Sequence, residues 1–112
     1  MKKFLVLYHA PDASFKQNEN ATPEDMQKGM EAWMQWAGRC GDKLVDMGSP
    51  LRNGLHINPA GSQPSKKEVA GFSVLQAEDI EGAKALLKDH PHLQWGAGCD
   101  IEVHEYQPMP GS

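Results

Sequence analysis

Five consecutive apolar residues near the start, Phe4-Leu5-Val6-Leu7-Tyr8, constrain the fold more than any other feature of the sequence. Successive side chains of a strand point to opposite faces, so Phe4, Val6 and Tyr8 share one side and Leu5 and Leu7 the other. Both sets are apolar, as in a strand covered on both faces. A chain of 112 residues has material for a single hydrophobic core, here one domain over residues 1–112. The two covers must therefore come from one layer of the chain's own helices and from something else.

The rest of the chain supplies those helices. Pro11 to Ala21 is a polar, irregular loop that ends at a strong helix start: Thr22 as N-cap, Pro23 at the first helical position, and Glu24 with Asp25 opposite the helix dipole. Met26, Met30, Trp33, Ala37, Gly41 and Leu44 recur at steps of three and four, which predicts a helix to about Asp46 with this stripe inward and Trp36 off it. Gly48-Ser49-Pro50 reads as a turn and Leu51 to Asn58 as the second strand, followed by a flexible connection from Pro59 to Ser65. Val69 to Ala77 is the third strand. Asp79 caps a second helix carrying Ile80, Ala83, Leu86 and Leu87, which Pro91 stops. Asp100 to Tyr106 is the last strand, with Ile101 and Val103 on one side and Glu102, His104 and Tyr106 on the other.

The resulting order β-α-β-β-α-β predicts an α+β fold of the ferredoxin-like kind, an antiparallel sheet with two helices on one face. Its other face would leave Leu5 and Leu7 wet. Docking that face on an identical sheet removes the patch, so a homodimer is expected, with His56, His104 and Glu102 lining or rimming the space between the sheets.

Charge and composition exclude some partners. A net charge of -4 and a pI near 5.7 offer no basic surface for nucleic acid or anionic lipid, so neither is an expected partner. The RNA-recognition motif shares the strand order, and Gly71-Phe72 echoes it faintly, but its basic residue and further aromatics are missing. No apolar run approaches the roughly 20 residues that span a bilayer, and no secretory leader follows Met1. Cys40 and Cys99 form no CxxC pair and read as two thiols in a reducing cytoplasm.

Several stretches resemble the YCII-related family, which includes the DGPF-domain proteins. They are KKFLVLYHAP at the start, the helix ending in LVDMGSPL, KKEVAGFSVLQAEDIEGAKALL, and the tail HPHLQWGAGCDIEVHEYQPMPG, so the resemblance spans nearly the whole chain. It implies a dimeric α+β barrel, similar in fold to muconolactone isomerases and small cofactor-free monooxygenases. Its best-defined members pair a His on the first helix with an Asp just before the helix-ending Pro. Here those positions hold Glu31 and His90, and GSQPS replaces the DGPF tetrapeptide.

A carboxylate and an imidazole exchanged in place would still supply one group titrating near neutrality and one that orients it. The expectation is therefore a His90 acid/base with Glu31 as its partner, His92 nearby, and Trp36 or Trp95 as walls of a pocket. Stabilising the helix end is an equal alternative role for His90. His90-x-His92, with His9, His56 and His104, lacks the spacing of a metal site, and neither metal nor cofactor is expected. Two functions stay open: a cofactor-free enzyme performing proton transfer, isomerisation or elimination on a small cyclic or aromatic acid, and a non-catalytic dimeric barrel that binds a small ligand or a protein.

Overall fold

A computed structural model describes residues 1–11, 21–96 and 98–109. Most of the polar loop expected from Pro11 to Ala21, and the last residues of the tail, lie outside them. In chain order the elements are β1 (Lys2–His9), α1 (Pro23–Cys40), a short 3-10 turn (Gly41–Lys43), β2 (Leu44–Pro50), β3 (Leu55–Asn58), β4 (Gly61–Pro64), β5 (Val69–Ala77), α2 (Ile80–Leu87), a second 3-10 turn (Pro91–Gln94) and β6 (Asp100–Glu105). Four strands make one antiparallel sheet in the order β2-β5-β1-β6, while β3 and β4 form a separate hairpin. Counting only the four sheet strands, this is the ferredoxin-like βαββαβ arrangement with its first and third strands central.

Phe4, Val6 and Tyr8 are buried on the side carrying the helices, together with Ser73, Leu75 and Ala77 of β5. Trp36, Cys40, Ala83 and Leu87 close the core from above, with Trp33, Ala37, Leu44 and Leu86 at its margin. α1 starts as its sequence demands. The Thr22 hydroxyl accepts from the Asp25 amide and the Asp25 carboxylate accepts from the Thr22 amide, which satisfies two donors that the helix itself cannot. Asp79 caps α2 by accepting from Gly82.

Four expectations need correcting. α1 stops at Cys40, not near Asp46, because Gly41 turns the chain at φ 57, a conformation glycine adopts without strain. Leu44–Pro50 is then the second sheet strand, in place of Leu51 to Asn58. Gly48, read as a turn, is a point of close approach inside that strand: with φ 79, any Cβ would stand 1.7 Å from the Phe72 carbonyl oxygen. Leu55 to Asn58 pairs with Gly61 to Pro64, so the stretch expected to be a flexible connection is half a hairpin.

The inner stripe of α1 is also rotated from the one expected. Trp36 is 1% exposed and its Nε1–H donates to the Leu86 carbonyl at 2.8 Å, linking α1 to the end of α2. Met26 and Met30, placed inward by the spacing argument, are 63% and 61% exposed. The helix carries two neighbouring apolar stripes, and the sheet takes the one rich in tryptophan, whose rings bury more area each.

Candidate functional site

The structure assembles two groups of titratable side chains, one sealed between helices and sheet and one on the sheet's open face.

The sealed group centres on His90, which caps the turn after α2 and has no exposed surface. The His92 amide donates to His90 Nδ1 at 3.0 Å, so in the neutral ring the proton sits on Nε2. Nε2 lies 3.3 Å from Tyr8 Oη and donates to it; Tyr8 donates to Ser73 Oγ at 2.8 Å, and Ser73 to the Met47 carbonyl at 2.7 Å. Every hydrogen in this chain has one direction. Trp33 and Trp36 stand edge-on to the imidazole, with ring centroids 4.5 and 4.3 Å away. Burial holds the His90 pKa down to about 3, with smaller contributions from His92 and Arg39, and pushes the Tyr8 phenol up to about 12. The imidazole has both nitrogens engaged and no exposed surface, and it packs as part of the core.

Glu31 lies elsewhere. It is exposed on the outer side of α1 beside Gln27, Met30, Met34 and Gln35, whereas Trp33 and Trp36 of the same helix face His90. The structure therefore does not bring the expected Glu31 and His90 together, because Trp36 lies five helical positions after Glu31, which carries the two to opposite faces. Trp36 is buried in the core. Trp95 packs against His92, ring centroids 5.8 Å apart. His56 belongs to the separate β3–β4 hairpin and not to the four-stranded sheet that carries His104.

The open face is built by register. Opposite residues in the sheet share a side, so Phe72-Leu7-Glu102 and Val74-Leu5-His104 form two adjacent rows, and His9 with Asp100 continues the pattern at the next step. Leu5, Leu7, Phe72 and Val74 thus make an apolar floor flanked by four polar residues. His9 Nδ1 lies 3.0 Å from Asp100 Oδ1 and 4.0 Å from Glu102 Oε2; Glu102 Oε1 in turn holds His104 Nε2 at 2.7 Å. The His9 side chain is 18% exposed, far less than its neighbours in this line. Beside it the ladder between β1 and β5 slips at Tyr8/His9, a bulge of the kind that re-aims a side chain. Because a carboxylate only accepts, it fixes the proton of a neutral His9 on Nδ1 and leaves the lone pair on Nε2.

His9 and Asp100 are the residues that reading the sequence missed. The alternation Leu5-Leu7-His9 was visible, but joining His9 to Asp100 requires the β1–β6 register, which no local pattern encodes. Among the described residues, no group of three or more His, Cys, Asp or Glu side chains is arranged to hold a metal ion.

The sequence profile of the YCII-related domain matches residues 1–107. The chain belongs to the YCII-related family. A solved structure similar to this YCII-related chain is 5-chloro-2-hydroxyhydroquinone dehydrochlorinase from Burkholderia phenoliruptrix in complex with 2,5-dihydroxybenzoquinone. It is 16% identical, with a TM-score of 0.52 over 89% of this chain and 90% of that one, a likeness of fold. No curated relative matches the sequence. Among the described residues of this YCII-related protein, no helix is long and apolar enough to cross a membrane.

Proposed function

We propose that this protein is a cofactor-free acid–base enzyme that acts on a small cyclic or aromatic acid by proton transfer, isomerisation or elimination. It works as a homodimer joined through the open sheet face. The observation that carries this reading is the His9–Asp100 pair at 3.0 Å on that face. A carboxylate behind Nδ1–H orients the ring, leaves Nε2 to take a proton, and stabilises the imidazolium that results. Glu102 and His104 supply a second carboxylate–imidazole pair along the same strand, suited to returning a proton elsewhere on the substrate.

The surroundings support a flat, mostly apolar substrate. Phe72, Leu5 and Leu7, each half-buried, offer contact area to a ring, and polar groups along one edge suit hydroxyl or carboxyl substituents. A second copy laid on the face would remove the apolar floor from water and exclude solvent from the acid–base groups. The similar structure bears the name of a dehydrochlorinase and holds a dihydroxybenzoquinone, which supports hydroxylated rings as the substrate class and elimination as one reaction type. Cys40, buried, and Cys99, partly so, suit a cytoplasmic setting.

A second reading, a dimer that binds a ligand or protein without chemistry, draws on His90: the imidazole at the helix-ending position that resembles the family's acidic residue is sealed and neutral.

A thermal-shift screen of small lactones, phenolic acids and halogenated aromatics tests the proposal, since a ligand that binds the native state raises its stability by mass action. Ligands whose shift is lost in His9→Gln and kept in Glu31→Gln place the site on the sheet face. Ligands that bind His9→Gln as they bind wild type remove it from there.

A further inference from the structure

The loop histidines lie outside the open face yet touch its backbone where the acid–base pair is built. His92 Nε2–H donates to the carbonyl of His9 at 2.7 Å, and His9 stands opposite Asp100 in the β1–β6 ladder. These are the two residues whose side chains meet at 3.0 Å. Against β6 the register of β1 is regular up to His9 opposite Asp100, but against β5 it slips between Tyr8 and His9, so β1 has lost regular ladder support on one side at this point.

The placement of His92 is itself determined. Its amide donates to His90 Nδ1, and His90 is gripped by Tyr8, Trp33 and Trp36. His92 is 4% exposed, and its ring also rests against Tyr8, centroids 5.2 Å apart. A sequence of contacts therefore runs from the helix core to the open face: core aromatics fix His90, His90 fixes the His92 backbone, and the His92 ring fixes the end of β1 that carries His9, opposite Asp100.

We infer that His92 is a positioning residue, whose ring N–H holds the His9 backbone in place opposite Asp100 so that the Asp100 carboxylate selects the Nδ1–H form of His9. The inference rests on reading His9 as the base, but its readout needs no substrate. A buried histidine pair that takes no part in proton transfer thereby sets the aim of one that does.

Long-range 1H–15N spectra of 15N-histidine-labelled protein, recorded at about pH 8 where ordinary imidazoles are neutral, read which nitrogen of each ring carries hydrogen. In wild type, His92 Nε2 is protonated and His9 carries its proton on Nδ1. In His92→Gln, whose side-chain amide still donates, His9 keeps that form; in His92→Leu, which cannot donate, the His9 signals move to a mixture of both forms. A folded His92→Leu variant with unchanged His9 signals overturns the inference. So does a bare His92 Nε2 in wild type, which requires no variant. Should the tautomer contrast appear while no ligand or turnover depends on His9, the positioning stands and the enzymatic reading falls.

Discussion

His90 makes the stability of this protein depend on pH in a direction that can be worked out. Its imidazole is fully buried and holds a pKa of about 3, against about 6.5 for a histidine in an unfolded chain. Below about pH 6.5 the unfolded chain binds a proton that the folded chain refuses, so stability is fully present above that pH and is lost as pH falls toward 3. The slope approaches 1.4 kcal/mol per pH unit, which amounts to about 2 kcal/mol between pH 7 and pH 5. For a domain of this size that is a fall in Tm of roughly 8 °C. His92 is also shifted downward by burial and acts with the same sign. The window from pH 7 to 5 lies above the range in which ordinary carboxylates titrate, so histidines dominate it. Urea denaturation at one fixed protomer concentration, at pH 7, 6 and 5, measures the slope in wild type and in His90→Gln, which removes the titrating group. Equal stability of wild type at pH 7 and 5, or an undiminished slope in His90→Gln, would refute the reasoning.

Other substitutions test separate parts of the structure. Tyr8→Phe leaves the His90 Nε2–H without its acceptor in a dry site and should cost about 1–3 kcal/mol in the same denaturation assay. Gly48→Ala forces a Cβ against the Phe72 carbonyl at positive φ; a loss above about 2 kcal/mol is expected, seen as a lower urea midpoint. Leu7→Glu puts a charge in the centre of the open face and should shift sedimentation toward the monomer at micromolar concentrations, whereas Met30→Glu on the outer side of α1 should not. A wild-type chain that sediments as a monomer throughout would remove the dimer from the proposal.

The sequence carried the fold where the signals were local and redundant. The doubly apolar strand, the Thr22-Pro23 helix start, the Asp79 cap and the stop before Pro91 each agreed with the element found, and together they imply the ferredoxin-like order. It misled where one residue type serves two purposes. Gly48 looks like a turn but relieves a backbone approach between β2 and β5, a contact made with a residue 24 positions away. The methionines of α1 fit a helical period as well as the tryptophans do, and only packing against β1 and β5 decides which stripe turns inward. The site was harder still. His90 and His92 were visible as a motif, but their roles follow from burial and from the direction of each hydrogen bond, while His9 and Asp100 lie 91 positions apart and meet only through strand pairing.

The most direct test of the account is hydrogen–deuterium exchange into a ring compound bearing an acidic carbon, such as a small lactone or a hydroxylated quinone that binds in the thermal-shift screen, followed by NMR in heavy water. If His9 takes the proton, wild type accelerates exchange and His9→Gln is slower by a factor of about 10² or more, with Glu31→Gln unchanged. Exchange no faster with wild type than with buffer alone, or equally fast with His9→Gln, would contradict an acid–base site on the sheet face.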